Sequence, residues 1–291
     1  PGVGGTMGTV TPNREATGQL TWEQIRPLLE DMLDILENHE ARIIRLEDRS
    51  PEGGGPGGLL LDAVIDELWV RKRLRIPVGT DMFSYALAFY PDAHPEVTTV
   101  DGWAIQSGTN ATWAAIRDGA GSNAYDDDAI GDYVDIQSGL TTDRWTKCER
   151  GIILLDISAL PTDIVVISAV LSLRGSFKQD SLSASPDINI YSSNPASNIA
   201  LIAADYATLG TTPFCDTAIT YAGFDAAGWN EFTLNTAGLA ALATALSGTK
   251  ILKLGVRNAN YDVANVAPTW VSNKLFTFIW ESAESATSTY K

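Results

Sequence analysis

The chain has 291 residues, of which 45% are hydrophobic, 19% charged and 9% aromatic, so it can bury the core of one or two domains. Asp and Glu number 36 against 20 Lys and Arg, and a net charge of -16 would repel a phosphate backbone. This charge argues against nucleic acid as a partner. The sequence lacks an apolar run of roughly 18 residues, so no membrane span is predicted. Two Cys and two His are too few for a Cys/His zinc cluster.

The chain opens with a polar arm. Residues 1–20 are mostly Gly, Thr, Pro and small polar types without an apolar period, which is typical of an extended arm. Thr21 and Gln24 then form a capping-box pattern ahead of an apolar run, and this pattern predicts a helix over residues 21–50.

Apolar residues in this helix recur at alternating steps of three and four, which is the spacing of a coiled-coil seam. Leu28, Leu33 and Ile35 widen the apolar face beyond the seam of a dimer, so we favour a parallel homotrimer. A single amphipathic helix docked on its own domain is the alternative that explains the same stripe. The residues assigned to oligomerisation are Ile25, Leu29, Met32, Leu36, His39, Ile43 and Leu46.

The next segments connect the helix to a β-rich region. Residues 51–58 are almost all Gly and Pro, and we interpret them as a flexible linker and a domain boundary. Residues 59–96 are interpreted as a short helix, Leu59–Leu74, with a basic last turn, followed by a connector.

Residues 97–291 are predicted to form a β-sandwich domain. Short β-branched and aromatic runs alternate there with Gly, Pro, Asn, Asp and Ser, which is typical of an all-β domain. Only Thr236–Leu246 is predicted to be helical. The predicted strands are Val97–Trp103, Tyr133–Gln137, Gly151–Asp156, Val165–Arg174, Ile188–Tyr191, Glu231–Leu234, Ile251–Arg257 and Leu275–Trp280.

Two consecutive runs in this region carry a resemblance to a known family. The run R-G-I-I-L-L-D-I-S-A-L-P begins at Arg150, and I-S-A-V-L-S-L begins at Ile167. Together they resemble the signature of DNRLRE-type jelly-roll domains, which occur in surface and virion proteins of bacteria, archaea and phages. The runs Trp229–Asn235 and Lys250–Arg257 match later strands of that family in order. The family usually has Phe at Leu155, and its final Ser-Ser-Glu motif is not intact here.

The resemblance, which covers roughly residues 97–285, implies a fold and a role. The fold class is mainly β, a jelly-roll β-sandwich preceded by a coiled-coil helix. The family has no catalytic residues to carry over, and the chain lacks the Gly-x-Ser-x-Gly, Walker and His-Glu-x-x-His motifs, so we expect no enzymatic activity.

The expected role is that of a virion structural protein. It would be a phage head or tail fibre, spike or capsid decoration protein whose arm binds a capsid or tail protein. The alternative is a carbohydrate-binding jelly-roll module of a cell-surface or extracellular filament protein.

The residue types alone suggest two candidate binding sites. Asp126, Asp128 and Asp132 lie in the densest group of carboxylates, which predicts either a structural calcium site or a solvated acidic loop. Trp145 and Trp270 are flanked by polar and turn residues, so they are the candidates for exposed aromatic contacts with a host surface glycan.

The sequence leaves the pairing of four further residues open. Cys148 and Cys215 are two thiols whose pairing cannot be deduced. Arg150 and Asp156 either form a buried ion pair within the signature or cap a strand edge.

Overall fold

The computed structural model describes residues 72–80, 83–128, 131–162 and 164–285. The chain divides into two compact units, Pro1–Glu67 and Leu68–Lys291, and every described residue belongs to the second. The predicted arm, coiled coil and linker lie outside the described residues, so the homotrimer stays a prediction. The same holds for its seam residues, Ile25, Leu29, Met32, Leu36, His39, Ile43 and Leu46.

The described fold is mainly β, which confirms the predicted class at that level. Its strand pairings are antiparallel. The strands are β1 Lys72–Thr80, β2 Phe83–Leu87, β3 Asp101–Ala111, β4 Asn123–Tyr125, β5 Asp132–Ser138, β6 Trp145–Asp156, β7 Val170–Asp180, β8 Asp187–Ser192, β9 Ile219–Thr220, β10 Trp229–Thr233, β11 Ile251–Asn258 and β12 Leu275–Trp280.

Helical segments are few and short. Helix α1 spans Trp113–Arg117 and helix α2 spans Thr236–Ser247, and the loops add a 3-10 helix, Ala203–Thr208, and a π-helical turn, Ala259–Val263. Helix α2 confirms the predicted helix, and it begins there because the Asn235 side chain accepts hydrogen bonds from two backbone N–H groups of the first turn. Among the described residues, no helix is long and apolar enough to cross a membrane.

The predicted helix over Leu59–Leu74 is wrong at its end. Residues from Lys72 onward form β1, in which Leu74 lies opposite Leu171 of β7. The reason is visible in the run K-R-L-R-I-P-V, where apolar and other residues alternate with period two, the period of a strand.

Two long strands exchange partners along their length. The first half of β6 pairs with β5 and its second half with β11, while β3 follows its other edge. The first half of β7 pairs with β1 and β10, and its second half with β12. Strands that change partners in this way can belong to two packed sheets.

Strand β6 is buried on both faces and lies between two apolar clusters. Ile153 and Leu155 belong to the larger cluster, whereas Ile152 and Leu154 belong to the smaller one. This double burial explains the continuous apolar run of the signature. Gly151 is required in that run because a Cβ atom there would lie 2.6 Å from the ring of Trp280.

Candidate functional site

A cluster of buried charged residues is centred on the carboxylate of Asp262. Asp262 lies in the π-helical turn after β11, where Asn258 Oδ1 accepts hydrogen bonds from the N–H groups of Tyr261 and Asp262 at 2.8 and 3.2 Å. Arg150 of β6 donates to the Asp262 carboxylate through Nε at 2.9 Å and Nη2 at 2.6 Å. Arg257 of β11 donates to it through the same two nitrogens, both at 2.8 Å. The carboxylate thus accepts two bidentate pairs.

The same two guanidinium groups also hold loops. Arg150 donates to the carbonyl oxygens of Tyr206 at 2.8 Å and Arg117 at 2.7 Å, and its guanidinium carbon lies 3.9 Å from the centre of the Tyr206 ring. Arg257 donates to the carbonyl oxygen of Gly210 at 2.8 Å. Strands β6 and β11 are therefore tied to α1 and to the segment around the 3-10 helix.

Electrostatics keep this network ionised. Burial alone would raise the pKa of Asp262, but Arg150 and Arg257 together hold that pKa below its ordinary value. Burial alone would lower the pKa of Arg150, and Asp262 instead raises it. The Asp262 carboxylate and the guanidinium groups bound to it therefore favour their charged forms, as expected of a structural ion network rather than of a group that exchanges protons.

A shallow cleft of about 230 Å³ lies beside the network. Its lining includes Arg117, Arg150, Arg257 and Thr211. Arg117 donates to the Asp262 carbonyl oxygen and pairs with the half-exposed carboxylate of Asp118. Most N–H groups of the two buried arginines are bound to protein atoms, so the cleft is primarily the outer surface of a structural ion network.

A second buried charged cluster lies where β5 and β6 pair. Asp135 and Glu149 are direct cross-strand partners, and Lys147 precedes Glu149 by two residues on the same face of β6. Lys147 Nζ lies 3.4 Å from Asp135 Oδ2 and 3.3 Å from Glu149 Oε1. The exposed fractions of Asp135 and Glu149 are only 3% and 6%. Two buried carboxyl groups therefore share one ammonium group.

The single ammonium group of this cluster cannot compensate the charges of two ionised carboxyl groups. Glu149 Oε2 receives no hydrogen bond from any residue that the structure describes, and Thr277 of β12, which lies opposite Asp135, only partly offsets the effect of burial on the Asp135 pKa. Burial, and then the charge of Glu149, raise the pKa of Asp135 to about 8 against the opposing effect of Lys147. Burial also raises the pKa of Glu149, which Lys147 opposes. In contrast to Asp262, the surroundings of Asp135 therefore favour its protonated form.

Aromatic rings lie near this acidic cluster. Trp103 of β3 stacks on Tyr125 of β4 with ring centroids 4.9 Å apart, and it contacts Tyr133 of β5 with centroids 4.5 Å apart. Burial raises the pKa of Tyr133, and Glu149 is among the carboxylates that raise it further. Tyr125 is the member of this group that faces solvent, since 39% of it is exposed.

The predicted calcium ligands do not form a common site. Asp126 Oδ2 accepts a hydrogen bond from the Leu201 N–H at 2.7 Å, whereas Asp132 is buried and its Oδ2 accepts one from Trp280 Nε1 at 2.9 Å. Asp128 accepts a hydrogen bond from Ser282 through its backbone carbonyl. No three His, Cys, Asp or Glu side chains within the described part of the chain are grouped so that they could hold a metal ion. These acidic residues fix loops instead.

The predicted exposure of Trp145 is wrong. This residue begins β6, is only 1% exposed, and packs edge-on against Trp113 with ring centroids 5.3 Å apart. Polar neighbours in the sequence concealed its burial, because alternate residues of a strand point to opposite faces. Trp270 is half-buried in the loop before β12, where its indole N–H has no hydrogen-bond partner among the described residues.

The structure also shows how the cysteines and the charged residues of the signature are paired. Cys148 and Cys215 are free and buried, in different core clusters. Burial is the main reason that the pKa of each thiol is raised to about 12. Arg150 pairs with Asp262 instead of Asp156, which accepts a hydrogen bond from the Ser158 N–H at 2.8 Å.

Comparison with family models, curated proteins and solved structures finds no match to this chain.

Proposed function

We propose that this chain is a non-enzymatic virion structural protein, a phage head or tail fibre, spike or capsid decoration protein, and that its β region is a DNRLRE-type jelly roll. The observation that carries the proposal is the role of Arg150, the first residue of the signature. Its guanidinium binds Asp262 and the backbone carbonyl oxygens of Tyr206 and Arg117, so it holds the segments between the strands in place. Such a network is expected in a structural scaffold.

The strand arrangement supports the jelly-roll assignment. Strands β6 and β7 exchange partners halfway along their length, as strands shared between the two sheets of a sandwich do. Long loops between the strands are fastened by buried side chains, which suits a domain that is presented outside a particle.

Assembly is proposed to come from the segment before the β region. The heptad stripe over residues 21–50 would form a homotrimer, and the arm over residues 1–20 would bind a capsid or tail protein. The location that follows is the virion.

The solution mass of the full chain, measured by light scattering after size exclusion, tests this proposal. We expect a trimer, and we expect the double variant Leu36→Glu/Ile43→Glu to be a monomer, because both changes place a charge in the seam. Asp34→Ala, at an outer heptad position, is the matched control and should remain a trimer. A monomeric wild-type chain, or a double variant that stays trimeric, would contradict the assembly mechanism.

One observation favours a second function, a carbohydrate-binding module of a cell-surface or extracellular protein. The Tyr125 ring is exposed and is backed by Trp103, an arrangement that suits stacking against a sugar ring. Glycan-array binding that disappears in Tyr125→Ala and persists in Phe177→Ala, a change of another exposed aromatic residue, would support this function. The absence of any glycan bound by the wild-type chain would refute it.

A further inference from the structure

The geometry points to an intramolecular amide bond between Lys147 Nζ and the side-chain carboxyl group of Asp135, with Glu149 as the proton carrier. We propose this self-catalysed cross-link between β5 and β6 as a modification site that goes beyond the proposed function and does not depend on it.

The three side chains are placed for this reaction by the sheet itself. Antiparallel pairing puts Asp135 directly opposite Glu149, and Lys147 lies on the same face one pleat away. Lys147 Nζ is 3.4 Å from Asp135 Oδ2, so the nucleophile is in contact with the carboxyl group that it would attack, and a small side-chain movement would bring it to the carboxyl carbon. Glu149 Oε1 lies 3.3 Å from the same nitrogen and can take a proton from it.

Burial supplies the driving force for removing charge. The cluster contains two buried carboxyl groups and one ammonium group, and Glu149 Oε2 has no hydrogen-bond partner among the described residues. A buried ion pair is stable only if its geometry and hydrogen bonds compensate the loss of water. Amide formation replaces the charges of this cluster with an amide and a neutral carboxylic acid.

The step balances without an added reagent. It begins with the Lys147 ammonium, the Glu149 carboxylate and the Asp135 carboxylic acid. Glu149 takes one proton, and the free amine attacks Asp135 Cγ to form the C–N bond. The C–O bond to the hydroxyl group then breaks, and the hydroxyl leaves as water with a second proton from the nitrogen, relayed by Glu149. One proton remains on the amide nitrogen and one on Glu149, which ends as a carboxylic acid.

The position of the bond gives it a mechanical role. Glu149 is the last residue of β6 in register with β5, and from Gly151 onward the strand pairs with β11 instead. A covalent link from Asp135 to Lys147 would clamp the two strands beside the point where they separate. Peeling of β5 from β6 would then require breaking a covalent bond.

The intact mass of the full chain tests the proposal. We expect wild-type protein to be lighter than its sequence by the mass of one water molecule, and a protease digest to contain one peptide pair joined through Lys147 and Asp135. Lys147→Arg and Glu149→Gln should each have their full sequence mass, because one lacks the nucleophile and the other the proton carrier. Lys253→Arg, which leaves the cluster intact, should retain the loss of water.

Circular dichroism of each variant shows whether the β fold is retained, so a mass difference is interpreted only between folded chains. Folded wild-type protein at its full sequence mass would overturn the proposal. Loss of water that persists in Lys147→Arg would also overturn it, since the bond would then lie elsewhere. Loss of water in Glu149→Gln at the wild-type level would remove the role of Glu149. These covalent masses are independent of the solution mass that tests assembly.

Discussion

Replacing Asp262 by Asn should be among the most destabilising single changes in the β region. The side chain keeps its size and loses its charge, so two buried guanidinium groups lose the carboxylate that accepts four of their hydrogen bonds. Removing one partner of a buried pair costs about 3–5 kcal/mol of the free energy of unfolding. For a domain of this size that loss corresponds to a fall in Tm of about 6–20 °C.

Asp118→Asn is the matched control. Asp118 also pairs with an arginine, Arg117, but its side chain is 53% exposed. Exposed pairs of this kind contribute about 0–1 kcal/mol. Urea unfolding of both variants at pH 7, followed by Trp fluorescence, measures the two costs under the same conditions. Equal destabilisation by the two changes would refute the assignment of Asp262 as the centre of the network.

The pH dependence of the same variant provides a second check. Because the folded-state pKa of Asp262 lies below its ordinary value of 3.8, the ionised carboxylate contributes stability above that pH. The contribution is lost as the pH falls through the folded-state pKa. The difference in stability between wild type and Asp262→Asn should therefore shrink below about pH 4. A difference that stays constant down to pH 2 would show that the charge is not what stabilises the loops.

Three other predictions follow from buried groups. Trp145→Ala should lower the free energy of unfolding by about 3–5 kcal/mol, measured in urea, because it empties a core position; a loss below about 1 kcal/mol would contradict its burial. Cys148 and Cys215, with pKa values raised to about 12, should not react with a disulfide reagent at pH 8 until the chain is unfolded, and rapid labelling of the folded chain would contradict this. The variant Lys147→Arg cannot form the amide, so Asp135 keeps its raised pKa. Because the folded state then holds the Asp135 proton more tightly than the unfolded state, the free energy of unfolding should fall by up to about 1.4 kcal/mol per unit as the pH rises from about 4 to 8. Adding Asp135→Asn should flatten this dependence, and equal slopes in the two variants would refute it.

The strands were predictable where their patterns are local. Leu275–Trp280 was predicted with its exact bounds, because its apolar residues lie between turn residues. The burial of Trp145 was not predictable because the start of β6 is polar in sequence, whereas the side chain packs against α1 and within the smaller apolar cluster. The strand that begins at Lys72 is hard to predict because its basic residues also suit the last turn of a helix.

The buried charged groups could not be predicted, because their partners are distant in the sequence. Arg150 and Asp262 are 112 residues apart, so proximity along the chain favoured Asp156 as the partner. The Asp135 and Glu149 pair depends on the register of two strands, which a single sequence does not specify.

The two buried charged clusters differ in how many positive groups each carboxylate receives. Asp262 faces two guanidinium groups, which donate four hydrogen bonds to its two oxygens, so ionisation is favoured and the charge is permanent. Asp135 and Glu149 offer four oxygens to the single ammonium of Lys147, and burial raises the pKa of both carboxyl groups. Such a site favours the uptake of a proton, and the amide bond proposed above would remove its charges altogether. The first cluster therefore stabilises loops in the way an ion pair does, whereas the second is poised for chemistry.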